Sequence, residues 1–140
     1  MNRRSVLTPV VAALVLLFAG AAHAGPREDL MGRYAAEAKA ADPAFAGFSA
    51  ARGEAFHLAR PAAGTPETPS CTSCHGADPR GAGKTRTGKA IEPMAVSASP
   101  DRYTDPAKVE KWFRRNCRQV LGRECTALEK GDWLSSMIAR

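Results

Sequence analysis

After its first 24 residues the 140-residue chain contains no apolar run long enough to cross a bilayer, so no membrane span is expected in the body of the protein. It also lacks any alternation of apolar and polar residues of strand length, and it lacks internal repeats, which argues against a sheet-built domain or a repeat array. Charge is not strongly one-sided: 20 Lys and Arg stand against 14 Asp and Glu, too mild an excess to argue for nucleic-acid binding. Cysteine is scarce as well. There are four, Cys71, Cys74, Cys117 and Cys125, and the last two are poorly spaced to act as the second ligand pair of a zinc site.

What is present begins with a leader. Arg3 and Arg4 precede an apolar run from about Val10 to Ala22, followed by Ala22-His23-Ala24, the small-residue pattern of a cleavage site. Residues 1–24 are therefore expected to be a signal peptide, and residues 25–140 a single exported domain of about 116 residues, periplasmic or extracellular. Loss of Arg3 and Arg4 leaves 18 basic against 14 acidic side chains, with the basic ones gathered in GKTRTGK and KWFRRNCR. Such clusters suit either a solvated helix face or an acidic partner. In an oxidising compartment each cysteine needs a covalent or metal partner.

Helical spacing predicts an all-α domain with long loops. Leu30, Met31, Tyr34 and Ala38 mark a first helix from Arg27 to about Ala41, ended at Asp42-Pro43. A second spans Ser49 to Leu58, with Phe48, Gly53 and Phe56 near one face and His57, beside Glu54 and Arg60, on a solvated one. Prolines at 61, 66 and 69 exclude regular structure before residue 71, and the Gly- and Pro-rich stretch from 76 to 103 should pack around something. A third helix runs from Asp105 to about Val120, with Thr104 as cap and Val109, Trp112, Phe113, Asn116 and Val120 on one face. A last helix begins near Thr126, where Glu129 three residues on completes a capping box.

Cys71-Thr72-Ser73-Cys74-His75 fits C-x-x-C-H, the pattern of covalent haem attachment. Two thiols at this spacing can add to the two vinyl groups of one porphyrin edge, and the adjacent histidine reaches the iron. A thioredoxin-like pair would want a strand before the motif and a helix after it, and neither is expected. Cys117 and Cys125 are left for each other, and closing their nine-residue loop is worth about 2.6 kcal/mol in the chain-entropy picture.

The sixth position on the iron is open on these grounds alone. Met94 is the conventional ligand type, but it stands 19 residues after His75 in a proline-broken loop, where packing on the haem edge fits better. Asn116 is the anomaly. A buried carboxamide costs on the order of 1–3 kcal/mol if unsatisfied, so beside Trp112 and Phe113 it either caps a backbone group or faces the iron.

RGEAF (52 to 56), TPSCTSCHGAD (68 to 78), KTRTGKAIEPMAVSASPDRYTD (84 to 105) and VEKWFRRNCRQVLGRECTALEKGD (109 to 132) together resemble the SHP-type cytochromes c. These are small class I cytochromes c that bind oxygen and use an asparagine as sixth haem ligand. The resemblance implies a class I cytochrome c fold with one haem c held by Cys71 and Cys74, axial ligation by His75 and Asn116, and a Cys117–Cys125 disulfide. Trp112 and Phe113 would then line the haem pocket. Family members commonly carry an aliphatic residue where this chain has Met94, which makes Met94 the rival ligand or a packing residue of similar size.

The function so implied is a periplasmic monohaem cytochrome, most simply a monomer, that accepts electrons and, once reduced, releases Asn116 and takes a small diatomic molecule such as oxygen or nitric oxide. The family works beside a dihaem cytochrome c and a membrane cytochrome b, which implies an electron-donor partner. The alternative is a plain electron carrier with Met94 on the iron. Enzymatic turnover is less expected, because only arginines lie near Asn116 as acid-base groups, and Arg114 and Arg115 point away from it by helical spacing.

Overall fold

A computed structural model describes residues 25–140; the expected signal peptide, residues 1–24, lies outside the described residues. Five helices and one small hairpin follow in the order α1 (Pro26–Ala41), α2 (Ala50–Leu58), α3 (Thr72–His75), β1 (Gly83–Lys84), β2 (Ala90–Ile91), α4 (Pro106–Leu121) and α5 (Ala127–Ile138). The domain is all-α apart from that hairpin. Among the described residues no helix is long and apolar enough to cross a membrane.

Local chemistry sets the helix ends. Pro26 opens α1, Glu28 and Asp29 sit in its first turn against the positive end of the helix dipole, and Asp42 turns extended ahead of Pro43. Ser49 caps α2 through Arg52 N at 3.2 Å. The capping box expected for α5 is present: Thr126 Oγ1 accepts from Glu129 N at 3.2 Å, and Glu129 Oε2 accepts from Thr126 N at 2.8 Å. For α4 the expectation needs correcting. Its cap is Asp105, whose Oδ1 accepts from Lys108 N at 3.1 Å, while the Thr104 hydroxyl donates to the Asp101 carbonyl at 2.8 Å. With Pro106 at the first helical position, the extended residue before it is the one placed to cap.

The core comprises Leu30, Tyr34, Met94, Tyr103, Val109, Trp133, Leu134 and Met137. Leu30 and Leu134 are fully shielded, and burial of this kind is worth about 1.5–3 kcal/mol per side chain. Helix α5 is its centre, with α1 and α2 packed on it. The α2–α5 approach depends on Gly53, where an added Cβ would collide with the backbone of Asp132 and Trp133. The segment from 76 to 105 wraps the remaining side, tied down by Met94 N and Ala95 N to the Pro79 carbonyl, both at 2.8 Å, and by the Tyr103 hydroxyl to the Met94 carbonyl at 2.7 Å. The hairpin it contains was not expected. Its turn is closed by Gly88 N to Thr85 O at 2.9 Å with φ 83° at Gly88, and β1 packs on α3.

Two side chains depart from their expected surroundings. His57 is buried rather than solvated, at 2% exposure, because α2 turns it toward α5, where the Trp133 indole meets its ring. Trp112 is 43% exposed although Phe113 is half-buried. Successive helical residues rotate by about 100°, which places Trp112 at the margin of the face centred on Val109, Phe113, Asn116 and Val120.

Candidate haem site

The C-x-x-C-H motif forms a helix of its own, the single turn α3, with Cys71 at its N-cap and Gly76 at its C-cap. Ser70 Oγ is within 2.7 Å of Thr72 Oγ1 and 3.2 Å of Ser73 Oγ, which fixes the entry to the turn. Cys71 and Cys74 are three positions apart and Cys71 and His75 four, so one helical turn gathers two thiols and an imidazole on one side. Neither cysteine takes part in a disulfide, and burial pushes the Cys71 thiol up to about 11. Burial, with smaller contributions from His57 and Arg102, holds the His75 imidazole down to about 4. It is therefore neutral, the form with a lone pair to give a metal. His75 Nδ1 is buried without a hydrogen-bond partner among the described residues.

A desolvated neutral imidazole with an unpartnered nitrogen, next to two cysteines outside any disulfide on the same turn, fits a covalently tethered haem. It does not fit a bare ion, since among the described residues no group of three or more His, Cys, Asp or Glu, this turn included, is placed to hold one.

On α4, Asn116 is half-buried and follows Phe113 by three positions on the inward face. Among the described residues none is hydrogen-bonded to its carboxamide, so the capping role open to it on sequence grounds is not filled. Cys117, next along, is joined to Cys125 as a disulfide with Cα atoms 5.6 Å apart, and both residues are buried. The loop before α3 is fastened to the last turn of α4 by Thr65 N to the Gln119 carbonyl at 3.4 Å and by Thr68 Oγ1 to the same oxygen at 3.5 Å. The haem-motif turn and the helix carrying Asn116 are thus held by one connection. Met94 is 7% exposed and belongs to the core. Trp112 stays at the surface, with Lys111 Nζ 5.9 Å and the Arg115 guanidinium 5.5 Å from its ring centre.

Comparison with known proteins decides the family. Residues 43–137 match a family described as a domain of unknown function (DUF1924). The whole chain is 46% identical over 140 residues to the cytochrome c-type protein SHP of Cereibacter sphaeroides, covering all of both chains. The chain belongs to the SHP-type cytochromes c. The structure of oxidised SHP, an oxygen-binding cytochrome c, is 51% identical and superposes with a TM-score of 0.73, over 80% of this chain and 95% of that one. Cytochrome c″ of Methylophilus methylotrophus is 31% identical over 112 residues, 79% of this chain and 78% of its own. The crystal structure of its oxidised form matches with a TM-score of 0.71, over 81% of this chain and 93% of that one. The fold is accordingly that of a helical cytochrome c, and the cofactor of this SHP-type chain is one covalently attached haem c.

Three residues around the site were not placed there by sequence reasoning: His57, read as solvated, Trp133 and Tyr103. Trp133 contacts Phe113 edge-on at 5.5 Å between ring centres and Tyr103 at 5.9 Å, and its indole reaches His57. Trp133 could be read as an apolar residue of the last helix, but nothing in the local pattern pairs it with a histidine 76 positions earlier.

Proposed function

We propose that the protein is a periplasmic monohaem cytochrome that accepts an electron, releases Asn116 and then takes a small diatomic molecule such as oxygen or nitric oxide. When bound, the haem supplies an iron that changes oxidation state and offers one axial position to a small molecule. Cys71 and Cys74 would tether the group as two thioethers, an addition of each thiol across a vinyl group that needs no net oxidation. His75, kept neutral by desolvation, would be the permanent ligand to the iron.

Asn116 would be the exchangeable ligand. A neutral amide oxygen is a hard, weak donor, tolerated by ferric iron and poorly matched to ferrous iron, so reduction would loosen it. Its NH2 can then donate a hydrogen bond to the incoming molecule. The Cys117–Cys125 disulfide limits how far this part of α4 can shift, so exchange is assigned to the side chain rather than to unwinding of the helix. The single observation that carries the reading is the half-buried Asn116 carboxamide, on the inward face of α4 and bonded to no described residue. Electrons would come from a donor cytochrome, as the family's dihaem cytochrome c and membrane cytochrome b suggest, and the protein would work as a monomer.

The test is a pair of anaerobic absorption spectra of the haem-loaded protein and its Asn116→Ala variant. The expected result is a high-spin, oxygen-reactive ferrous form, with a ferric spectrum that changes in the variant. A low-spin six-coordinate ferrous form with a methionine-to-iron charge-transfer band in the ferric state, unaffected by the substitution, would identify a plain carrier using Met94.

A further inference from the structure

Burying an imidazole is costly unless both ring nitrogens find partners. His57 has both. Trp133 Nε1 lies 3.2 Å from His57 Nδ1, and an indole nitrogen can only donate, so Nδ1 is the acceptor. The ring is then the neutral tautomer with its proton on Nε2, and Nε2 donates to the Gly76 carbonyl at 2.8 Å. Trp133 is itself held edge-on by Phe113 and Tyr103, so the direction of its N–H is set by packing. Gly76 directly follows His75 and closes α3: its N–H donates to the Thr72 carbonyl at 3.0 Å, and its φ of 71° is open to glycine and rarely to other residues. The carbonyl that His57 engages therefore belongs to the residue that turns the chain away from the haem-binding histidine.

We infer that His57 is a positioning residue for the haem: its Nε2–H, made an obligatory donor by Trp133, holds the Gly76 carbonyl and through it the orientation of the His75 ring. The inference rests on the reading of His75 as axial ligand. It gives His57 two effects that volume alone would not produce. The orientation of the His75 ring would be fixed for the haem it holds. The partial negative charge of the Gly76 carbonyl is also offset by an N–H, and without that offset the ferric state is favoured and the midpoint potential falls.

Three variants of the haem-loaded protein separate this from simple core filling. His57→Phe keeps the ring volume and loses the donor, His57→Gln keeps an N–H able to reach Gly76, and Trp133→Phe keeps an aromatic wall while freeing the His57 tautomer. The readouts are the pattern of hyperfine-shifted haem methyl resonances in the ferric protein, which reports the axial ring plane, and the midpoint potential. His57→Phe is expected to rearrange the methyl pattern and lower the potential, Trp133→Phe to move both in the same direction by less, and His57→Gln to restore both toward the parent values.

If His57→Phe and Trp133→Phe keep the parent methyl pattern and potential and lose only thermal stability, the inference is overturned. Should His57→Phe not fold, Trp133→Phe and His57→Gln decide alone, and an unchanged pattern in Trp133→Phe overturns it equally. Failure of the His75 assignment looks different: the parent protein itself would then lack the spectrum of a histidine-ligated haem.

Discussion

Asp132 on α5 receives Arg52 of α2 in a forked contact, Nε to Oδ2 at 2.7 Å and Nη2 to Oδ1 at 2.8 Å. The same carboxylate accepts from Ser49 N at 2.7 Å, so one side chain ties both the start of α2 and its first turn to α5. Asp132 is 4% exposed, whereas the Arg52 side chain is largely in solvent, so the dependence falls on the aspartate. Asp132→Ala leaves the Ser49 N–H without this partner and is expected to destabilise the protein by about 1–3 kcal/mol, read as a lower urea midpoint. Arg52→Ala should cost clearly less, because an exposed partner is replaced by water. Equal losses would mean that the contact is dominated by the arginine.

That contact also marks where sequence reasoning stops. The capping box of α5 was legible because Thr126 and Glu129 satisfy each other within one turn, and α3 was legible as a haem motif because Cys71, Cys74 and His75 are contiguous. Asn116 stood out because a carboxamide on an apolar face requires an explanation. His57 did not, because its immediate neighbours Glu54 and Arg60 mimic a solvated face, and the partners that bury it come from α5 and from beyond α3. The Asp105 cap was misplaced by one residue, since Thr104 and Asp105 are both good caps and only the extended backbone before Pro106 chooses between them.

The acid response should show two windows. Burial lowers both His57 and His75 below their ordinary 6.5, so below that pH the unfolded chain takes up protons that the folded one refuses. Stability is then full above about pH 6.5 and declines as pH falls toward the lowered folded values. Glu110 acts further down. Its burial works against ionisation, but hydrogen bonds from Lys130 and Tyr34 outweigh it and hold the carboxyl below 4.5, so its contribution is lost only below that value. Urea midpoints measured from pH 8 to pH 4 should fall from about pH 6.5 downward in the parent protein and stay flatter over the upper window in His57→Gln. An unchanged slope in that variant would assign the upper window to His75.

Removing the second cysteine pair tests the anchor behind Asn116. Cys117→Ser with Cys125→Ser opens a nine-residue loop and should cost about 2–3 kcal/mol of stability from chain entropy. Both sulfurs are buried, so the replacement hydroxyls add a desolvation cost on top. If the disulfide steadies the exchangeable ligand, the double variant should also weaken Asn116 ligation and shift the ferric spectrum toward that of Asn116→Ala. A loss of stability with an untouched ferric spectrum would limit the bridge to a general brace.

Met94→Leu separates packing from ligation most directly. The Met94 backbone is pinned on both sides, its N–H to the Pro79 carbonyl and its carbonyl to the Tyr103 hydroxyl, and its side chain is buried with Tyr103, Trp133 and Leu134 in the core. Leucine has nearly the volume of methionine, and exchanges of this kind cost less than about 1.5 kcal/mol in well-packed interiors. If Met94 only packs, Met94→Leu should keep the absorption spectra in both oxidation states and change stability slightly. A thioether on the iron favours the ferrous state, so if Met94 were the sixth ligand the same substitution would lower the midpoint potential and abolish the methionine charge-transfer band. Asn116→Ala and Met94→Leu therefore give opposite patterns under the two readings, and the buried, doubly tethered position of Met94 supports the one in which only Asn116→Ala alters the spectrum.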